Sequence, residues 1–387
     1  MPARGDSRSE HRLALSLLGQ APVAWPHLPG WPEAVQRAWA PRLARAADDA
    51  RLPGQLLGLL RAAVRRLRPA HGAACSLSGG LDSAILAALL AELGPTRAFT
   101  LVDDFGGPHE WRQAAALARR CGLEHVGVRV SQEQLPDRFA DAVRACRAPI
   151  WNGKGVAALL YFEGARQAGA RTLLSGCGAD ELLCGNPGAL ASFERRLRRE
   201  CALSTSLLTP PARAALPRRA VRARPAGVPS LAWRQWLYLR TVLPASTLPI
   251  EVGLGAAAGL ELRLPYLDPA LARLAARLPM RQRVRAGVGK WALRSGSAGL
   301  VADHVRWAAK TARLAPPGGS SARARARWRA LLHELLAPAR LAQLGFVRTE
   351  RVGALLESQR DALPVSEQAA VGDAVLMRLA SLVVLAG

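Results

Sequence analysis

The stretch Cys75-Ser76-Leu77-Ser78-Gly79-Gly80-Leu81-Asp82-Ser83, followed by the apolar run 84–90, decides the fold of this chain. Its pattern predicts a short strand over 73–77, a Ser-Gly-Gly turn, and a helix that begins at Asp82 or Ser83. The two glycines let the backbone approach an anion closely, and the free N–H groups of the helix start form a phosphate cradle. Asp82 adds a carboxylate of the kind that Mg²⁺ prefers. The stretch therefore predicts a site for the pyrophosphate of a nucleotide, and it differs from the Walker loop in sequence.

Strand-like and helix-like patterns alternate along the first half of the chain. The predicted elements are a helix over 56–67, strands over 97–102, 125–130 and 171–175, and helices over 111–121 and 155–167. This alternation predicts an α/β fold in which a parallel sheet carries helices on both faces. Because ligands of such sheets bind at the carboxyl ends of the strands, the Ser-Gly turns after 73–77 and 171–175 should meet at one edge.

The second half of the chain changes character. Residues 328–386 have helical patterns, which predicts a largely helical C-terminal part. Two stretches, 208–230 and 312–327, combine prolines or glycines with arginines and have little apolar periodicity, so we expect loops there. Helical pieces are also expected between Glu33 and Asp49 of the N-terminal stretch.

Three further motifs follow the first one in the order of a known family. They are LLSGCGADELL at 173–183, LELRLPYLD at 260–268 and KWALR at 290–294. With SGGLDS at 78–83, they resemble the synthetase domain of asparagine synthetases and of their relatives, the β-lactam synthetases and lasso-peptide cyclases. That domain belongs to the N-type ATP pyrophosphatases, and the resemblance implies an adenine nucleotide α-hydrolase-like fold.

The resemblance covers about residues 55 to 387 and implies a division of the chain. Residues 1–54 would be an N-terminal extension without a glutaminase domain. Residues 55–310 would form the asparagine-synthetase-like ATP pyrophosphatase domain. Residues 311–387 would add a flexible loop and the helical C-terminal part of that domain.

The resemblance also implies the chemistry and the residues that carry it. ATP and Mg²⁺ would be the cofactors, and a carboxylate would be adenylated with release of pyrophosphate and then of AMP. Asp82 and Asp180 would hold Mg²⁺, and Lys290 would stabilise the pyrophosphate and the charged intermediate. The implied nucleotide-binding residues are Ser76, Leu77, Ser78, Gly79, Gly80, Asp82, Ser83, Leu101, Ser175 and Gly176.

Several of these residues have structural alternatives. Asp180 also fits a helix N-cap, which is compatible with metal binding. Cys177 is either a catalytic thiol or a small side chain that fills an enlarged pocket, since a cysteine is a weak base unless its pKa is lowered. Glu261, Arg263 and Asp268 form either a structural hydrogen-bond network or substrate contacts.

Two departures from asparagine synthetases bear on function. Those enzymes carry an N-terminal glutaminase with an exposed cysteine nucleophile, whereas Pro2 occupies that place here and too few residues precede Ser78 to hold that domain. Cys177 stands where asparagine synthetases have glutamate and the β-lactam branch has tyrosine. Both departures favour a specialised reaction over housekeeping asparagine synthesis.

The charge of the chain raises the question of a nucleic-acid partner. The net charge is +24, yet only three of the 53 basic residues are lysines, Lys154, Lys290 and Lys310. A lysine that persists in so arginine-rich a chain marks a place where a compact ammonium is needed. Lys310 resembles the lysine of the family's Arg-x-Lys, although Ala308 stands at the first position, and Lys154 fits no motif. Scattered arginines and few aromatic residues make nucleic-acid binding the less favoured reading.

Composition also indicates a compartment. Six cysteines lack the spacing of a zinc site or a disulfide framework, which is typical of reduced cytoplasmic proteins. The N-terminus lacks the apolar segment of a secretory signal. We also expect no stretch that is apolar and uncharged enough to span a bilayer.

These observations leave four functions open. The first is an ATP-dependent amide ligase for a small-molecule or peptide carboxylate, of macrocyclase type, in peptide or natural-product biosynthesis with a possible peptide-delivering partner. The second is an asparagine-synthetase-like enzyme that uses free ammonia or ammonia from a separate protein. The third is a basic RNA-binding or RNA-modifying protein, which steep salt dependence would reveal. The fourth is a degenerate ligase that binds ATP and acts as a scaffold.

Overall fold

A computed structural model describes residues 49–105, 109–216, 224–309, 320–359 and 367–387. Most of the predicted N-terminal extension lies outside these ranges. So do Lys310 and the Pro-Gly-rich part of the predicted loop over 312–327.

Five parallel strands form the central sheet, in the order β3-β2-β1-β4-β5. The strands are β1 (Ala74–Ser76), β2 (Arg97–Asp103), β3 (Glu124–Val130), β4 (Thr172–Leu174) and β5 (Glu261–Arg263). The four strands predicted from sequence are confirmed. Strand β5 was not expected, because its three partly exposed residues at the sheet edge are too few to show a strand pattern.

Helices connect the strands and make up most of the remaining chain. Those of the first half are α1 (Leu52–Leu67), α2 (Leu81–Ala91), α3 (His109–Arg120), α4 (Phe139–Cys146), α5 (Gly153–Gln167), α6 (Ala179–Leu183) and α7 (Pro187–Ser206). Those of the second half are α8 (Pro210–Ala214), α9 (Ser230–Val242), α10 (Leu254–Ala257), α11 (Pro269–Arg277), α12 (Met280–Arg283), α13 (Trp291–Gly296), α14 (Asp303–Arg306), α15 (Ala322–Leu335), α16 (Pro338–Ala342), α17 (Thr349–Ser358) and α18 (Glu367–Ala386). A two-stranded hairpin, β6 (Val284–Arg285) and β7 (Val288–Gly289), precedes α13.

Alternating side chains of the strands enter two separate cores. In β1, Ala74 packs into one apolar cluster and Cys75 into the other, and Phe99 and Ala98 of β2 divide in the same way. Helices α1 and α2 cover the Cys75 side, whereas α4, α5 and α18 cover the Ala74 side. Successive residues of a strand point to opposite faces, so both faces of the sheet are buried. The predicted architecture, a parallel sheet with helices on both faces and a largely helical C-terminal part, is confirmed.

Both predicted loops are partly helical, so that prediction is wrong in part. Helix α8 begins at Pro210, where the missing N–H of proline costs no helical hydrogen bond. Helix α15 begins at Ala322 because the Ser321 hydroxyl accepts a hydrogen bond from Ala324 N at 3.3 Å. These two helices begin at a proline in the first helical position and at a serine N-cap, features that a search for apolar periodicity does not detect.

The C-terminal helix α18 differs from the expectation that no stretch is apolar and uncharged enough to span a bilayer. Among the described residues, the segment Ala369–Ala386 is long and apolar enough to cross a membrane. Yet 72% of it is buried within the protein, and Ser381 bonds the backbone of Ile150 in both directions, at 3.0 and 3.1 Å. A helix that is apolar on all sides is also typical of a protein core.

Candidate functional site

The Ser-Gly-Gly turn joins β1 to α2 at the carboxyl edge of the sheet. The Ser83 hydroxyl holds it, since it accepts a hydrogen bond from Ser78 N at 3.1 Å and donates to the Gly80 carbonyl at 3.0 Å. Gly79 has a φ of +74°, and a Cβ there would lie 2.8 Å from the Cβ of Gln113. The turn therefore requires glycine, for its backbone conformation and for its close contact with α3.

Asp82 and Asp180 converge on one ammonium group. Asp82 lies in the first turn of α2, and Asp180 lies in the first turn of α6, which follows the second Ser-Gly turn. Lys290 Nζ lies 2.5 Å from Asp180 Oδ1 and also pairs with Asp82. The two carboxylates and the lysine that the sequence singled out are thus in direct contact.

The hairpin β6–β7 delivers Lys290 to this position. Lys290 has a φ of +58° and its N–H donates to the Leu183 carbonyl at 3.1 Å. Gly289 packs so closely that a Cβ there would lie 2.1 Å from the Cys184 carbonyl oxygen. The lysine side chain is only 4% exposed. These contacts direct the ammonium toward the sheet edge and keep it away from the protein surface.

The charge of Lys290 survives burial. Removal from water would by itself lower the pKa of this amine, but the carboxylates of Asp82 and Asp180 outweigh that effect and leave the pKa raised. The site therefore contains a fixed positive charge next to the Ser-Gly-Gly turn that the sequence predicts to bind phosphate. Such a charge can stabilise a departing pyrophosphate without any reorganisation.

A cleft of about 360 Å³ opens above this cluster. Nine of the residues predicted from sequence line it: Ser76, Leu77, Ser78, Asp82, Ser83, Leu101, Ser175, Gly176 and Asp180. Gly79, Gly80, Cys177 and Lys290 are not among its lining residues. Gly79 and Gly80 form the turn without lining the cleft. Lys290 contacts two residues that do line it, Asp82 and Asp180.

Glu251 also lines the cleft, although no sequence motif marks it. It lies in the π-helical segment Pro249–Gly253, and Ser175 Oγ donates a long hydrogen bond of 3.4 Å to its carboxylate. Burial raises the pKa of Glu251 to about 7, an effect that the Ser175 hydrogen bond only partly offsets. The one sign of it in the sequence is that Glu251 is the single charged residue within the otherwise apolar run 248–254.

The surroundings of Cys177 disfavour a thiolate. Burial raises the pKa of the thiol well above its usual range, and the carboxylates of Glu251, Glu181 and Asp180 raise it further. The Cys177 N–H donates to Ser175 Oγ at 3.2 Å, which fixes the turn. This environment supports the alternative that Cys177 is a small packing residue.

The motif at 260–268 forms a structural network. Arg263 pairs with Glu261 at 2.8 Å, and its guanidinium also donates to the Leu67 carbonyl at 2.7 Å. Asp268 caps α11 by accepting bonds from two backbone N–H groups, and Arg66 pairs with it. None of these side chains is among the residues that line the cleft. Tyr266 connects the motif to the site, since its hydroxyl donates to the Asp82 carbonyl at 3.1 Å.

The donor set suits a magnesium ion shared with a nucleotide. In the described part of the chain, no group of three or more His, Cys, Asp and Glu side chains could hold a metal alone. Mg²⁺, however, is commonly held by one or two carboxylates together with substrate phosphates. Asp82 and Asp180, converging beside the phosphate cradle, are such a pair and would hold it.

One family model covers most of the chain. A family model for asparagine synthase matches residues 55–381. Proteins of Mycobacterium tuberculosis and Mycobacterium bovis, provisionally named asparagine synthetase (glutamine-hydrolyzing), are 27% identical over 326 residues, which is 70% of this chain and 50% of theirs. The amidase chyE of Penicillium rubens is 29% identical over 143 residues, 33% of this chain and 21% of that protein. The chain thus spans about half the length, or less, of these relatives.

Among solved structures, an NMN synthetase from Francisella tularensis is similar at 23% identity. Its TM-score is 0.26, and the match covers 36% of this chain and 59% of that one.

Proposed function

Because the chain belongs to the asparagine synthase family, we propose that it is an ATP-dependent ligase that adenylates a carboxylate and transfers the acyl group to an amine. One observation supports this most strongly. A glycine turn, two carboxylates and a buried lysine meet at the carboxyl edge of a parallel sheet, as a nucleotide-activating site requires.

In the proposed first step, an oxygen of the donor carboxylate attacks the α-phosphorus of ATP. A bond forms between the donor oxygen and the α-phosphorus. The bond between the α-phosphorus and the oxygen that bridges to the β-phosphate breaks, and pyrophosphate leaves with the electron pair of that bond. The turn 78–83 would hold the leaving phosphates, and Lys290 would offset their charge. Mg²⁺, when bound by Asp82 and Asp180, would supply Lewis-acid stabilisation of the phosphate oxygens.

In the proposed second step, an amine nitrogen attacks the acyl carbon of the adenylate and AMP leaves. The nitrogen must also lose a proton, and we assign its acceptance to Glu251 rather than to Cys177. A pKa of about 7 suits a general base near neutral pH, whereas the Cys177 thiol, whose pKa is raised well above its usual range, stays protonated. Glu251 also lines the cleft that holds the predicted nucleotide residues.

We further propose that the amine belongs to a specialised substrate, as in macrocycle-forming or other amide-forming biosynthesis of peptides or natural products. Cys177 replaces the family's glutamate, and the cleft is lined instead by Glu251, a carboxylate from a different segment. This rearrangement supports an altered amine site. Free or partner-supplied ammonia is the competing acceptor.

The decisive test is Mg²⁺-dependent exchange of labelled pyrophosphate into ATP with a panel of carboxylates that includes aspartate and acidic peptides. We expect exchange with at least one donor, and a loss of about 10²-fold or more in Asp82→Ala, because charge stabilisation of phosphoryl-type transition states is of this size. Mass spectrometry with ammonia or amines then identifies the product. Intact ATP binding without exchange or product for any donor would contradict the proposal.

A further inference from the structure

Lys154 is one of three lysines in the chain and belongs to no recognised motif, yet it lines the cleft. Its position follows from α5. Lys154, Ala158, Tyr161 and Phe162 share one face of that helix, at spacings of four, seven and eight residues, and all four line the cleft.

The helix places Lys154 at the open end of the cleft. Tyr161 marks the floor, since it is 7% exposed and its hydroxyl bonds Ser76 Oγ at 2.8 Å and the Phe99 carbonyl at 3.1 Å. Seven residues of α-helix at 1.5 Å each separate Tyr161 from Lys154 by about 10 Å along the axis. Lys154 is exposed, whereas Lys290 is buried against its two carboxylates.

Charge balance gives Lys154 a role. Among the described residues that line the cleft, Lys154 is the one cation, whereas four are acidic: Asp82, Glu110, Asp180 and Glu251. Lys290 pairs with two of these acids from behind. Glu110, and Glu251 once it is ionised, add further negative charge to this lining. An acyl donor with an additional negative charge would be repelled by them unless a cation of the cleft offsets that charge.

We propose that Lys154 binds an anionic group of the acyl donor other than the carboxylate that is adenylated, and so selects donors with a second acid. This inference rests on the proposed function. ATP phosphates are the other anions present, but the turn 78–83 and Lys290 accommodate them at the sheet edge, while Lys154 lies near the mouth. Lys154 is therefore a specificity residue for the donor and not a phosphate ligand.

The test compares donors that differ only in the second acid. Binding of L-aspartate and of its α-amide, and of the C-terminally amidated peptides Gly-Asp-Glu and Gly-Asp-Gln, is measured calorimetrically in the presence of Mg²⁺ and an ATP analogue whose α,β-bridge cannot be cleaved. In the wild type we expect one acidic donor to bind about tenfold to a hundredfold more tightly than its neutral partner, the usual value of a charge-assisted hydrogen bond. Lys154→Ala should abolish that preference, and Lys154→Arg should restore part of it.

Controls separate the possible failures. Glu110→Gln alters a carboxylate of the same cleft and should not weaken the acidic donor. Equal binding of acidic and neutral donors by the wild type, or weaker binding of the ATP analogue in Lys154→Ala, would overturn the inference. Pyrophosphate exchange is recorded separately: a donor preference that depends on Lys154 without any exchange would refute adenylation while leaving Lys154 as a carboxylate-binding residue.

Discussion

At the scale of single residues, the buried Lys290 and the partly buried Glu251 carry the proposed chemistry of the site. Lys290 keeps its charge because two carboxylates surround it, whereas Glu251 has its pKa raised to about 7 because burial disfavours its charged form. Removal from water thus leaves one group charged and disfavours the charge of the other, and the difference is whether an opposite charge is in contact. A permanent cation and a carboxylate that titrates near neutrality suit the two proposed steps, leaving-group stabilisation and amine deprotonation.

Glu251→Gln tests the role of that carboxylate as a base. We expect amide formation to fall by about 10²- to 10⁴-fold, the usual value of a general base, while pyrophosphate exchange remains. In the wild type, the rate of amide formation should rise with pH through about 7 as Glu251 ionises. Ser175→Ala removes the hydrogen bond that favours the ionised form, so it should shift this midpoint to higher pH. An unchanged pH profile in Ser175→Ala and full activity in Glu251→Gln would exclude this role.

The raised pKa of Glu251 also has a consequence for stability. The folded protein holds this proton up to a pH of about 7, whereas in the unfolded chain the ordinary value is 4.5. The free energy of unfolding should therefore fall by about 3 kcal/mol from this group as pH rises between those values. Glu251→Gln lacks the titrating group, so denaturant unfolding at several pH values should show a correspondingly flatter dependence than in the wild type.

At the scale of elements, two tight segments interlock to place Lys290. The end of α6 runs into Cys184, which has a φ of +53°, and Gly185, while hairpin β6–β7 ends at Gly289. A Cβ on Gly185 would lie 1.8 Å from Asp180 Oδ1 and 2.3 Å from Lys290 Cε. The space for the ion pair therefore exists only because residue 185 carries no side chain.

Gly185→Ala should disturb the site more than a comparable change nearby. We expect a loss of about 1–3 kcal/mol in the free energy of unfolding, typical of overpacking, together with a loss of pyrophosphate exchange. Gly188→Ala is the matched control, since the nearest atom to its added Cβ would be Asn186 Oδ1 at 3.8 Å. Thermal unfolding and exchange assays of both variants make the comparison. Equal, small effects would show that the turn can relax around an added methyl group.

At the scale of the whole molecule, the net charge of +24 is spread over many exposed arginines, whereas the candidate site is acid-lined. Many of these arginines pair locally with carboxylates or stack on indole rings, as Arg196 does with Glu200 and Trp151. Such pairing consumes part of the positive charge that a nucleic acid would meet. The overall charge therefore identifies no ligand, and the cleft is the more informative feature.

Ligand-linked stability distinguishes the two classes of partner. We expect Mg²⁺ and ATP, at about a hundredfold excess over Kd, to raise the free energy of unfolding by about 2.7 kcal/mol, because only the folded state binds. Any stabilisation by a mixed-sequence RNA should vanish between about 0.05 and 0.5 M salt, since counterion release drives such binding. Thermal unfolding with each ligand, using Asp82→Ala as control, provides the measurement. Salt-resistant stabilisation by RNA without an effect of ATP would favour the nucleic-acid alternative.

The sequence by itself determined the strand–turn–helix at 73–91, the alternation that builds the parallel sheet, and the identity of Asp82, Asp180 and Lys290. Turn chemistry and apolar periodicity depend on neighbours along the chain, so they can be recognised without a structure. Only the tertiary structure brought Lys290 to Asp82, 208 positions away, and placed Glu251 and Lys154 in the same cleft. The burial and the pKa of a side chain, and the cleft that it lines, depend on neighbours in space. For this reason the sequence alone could assign no role to Glu251 or Lys154.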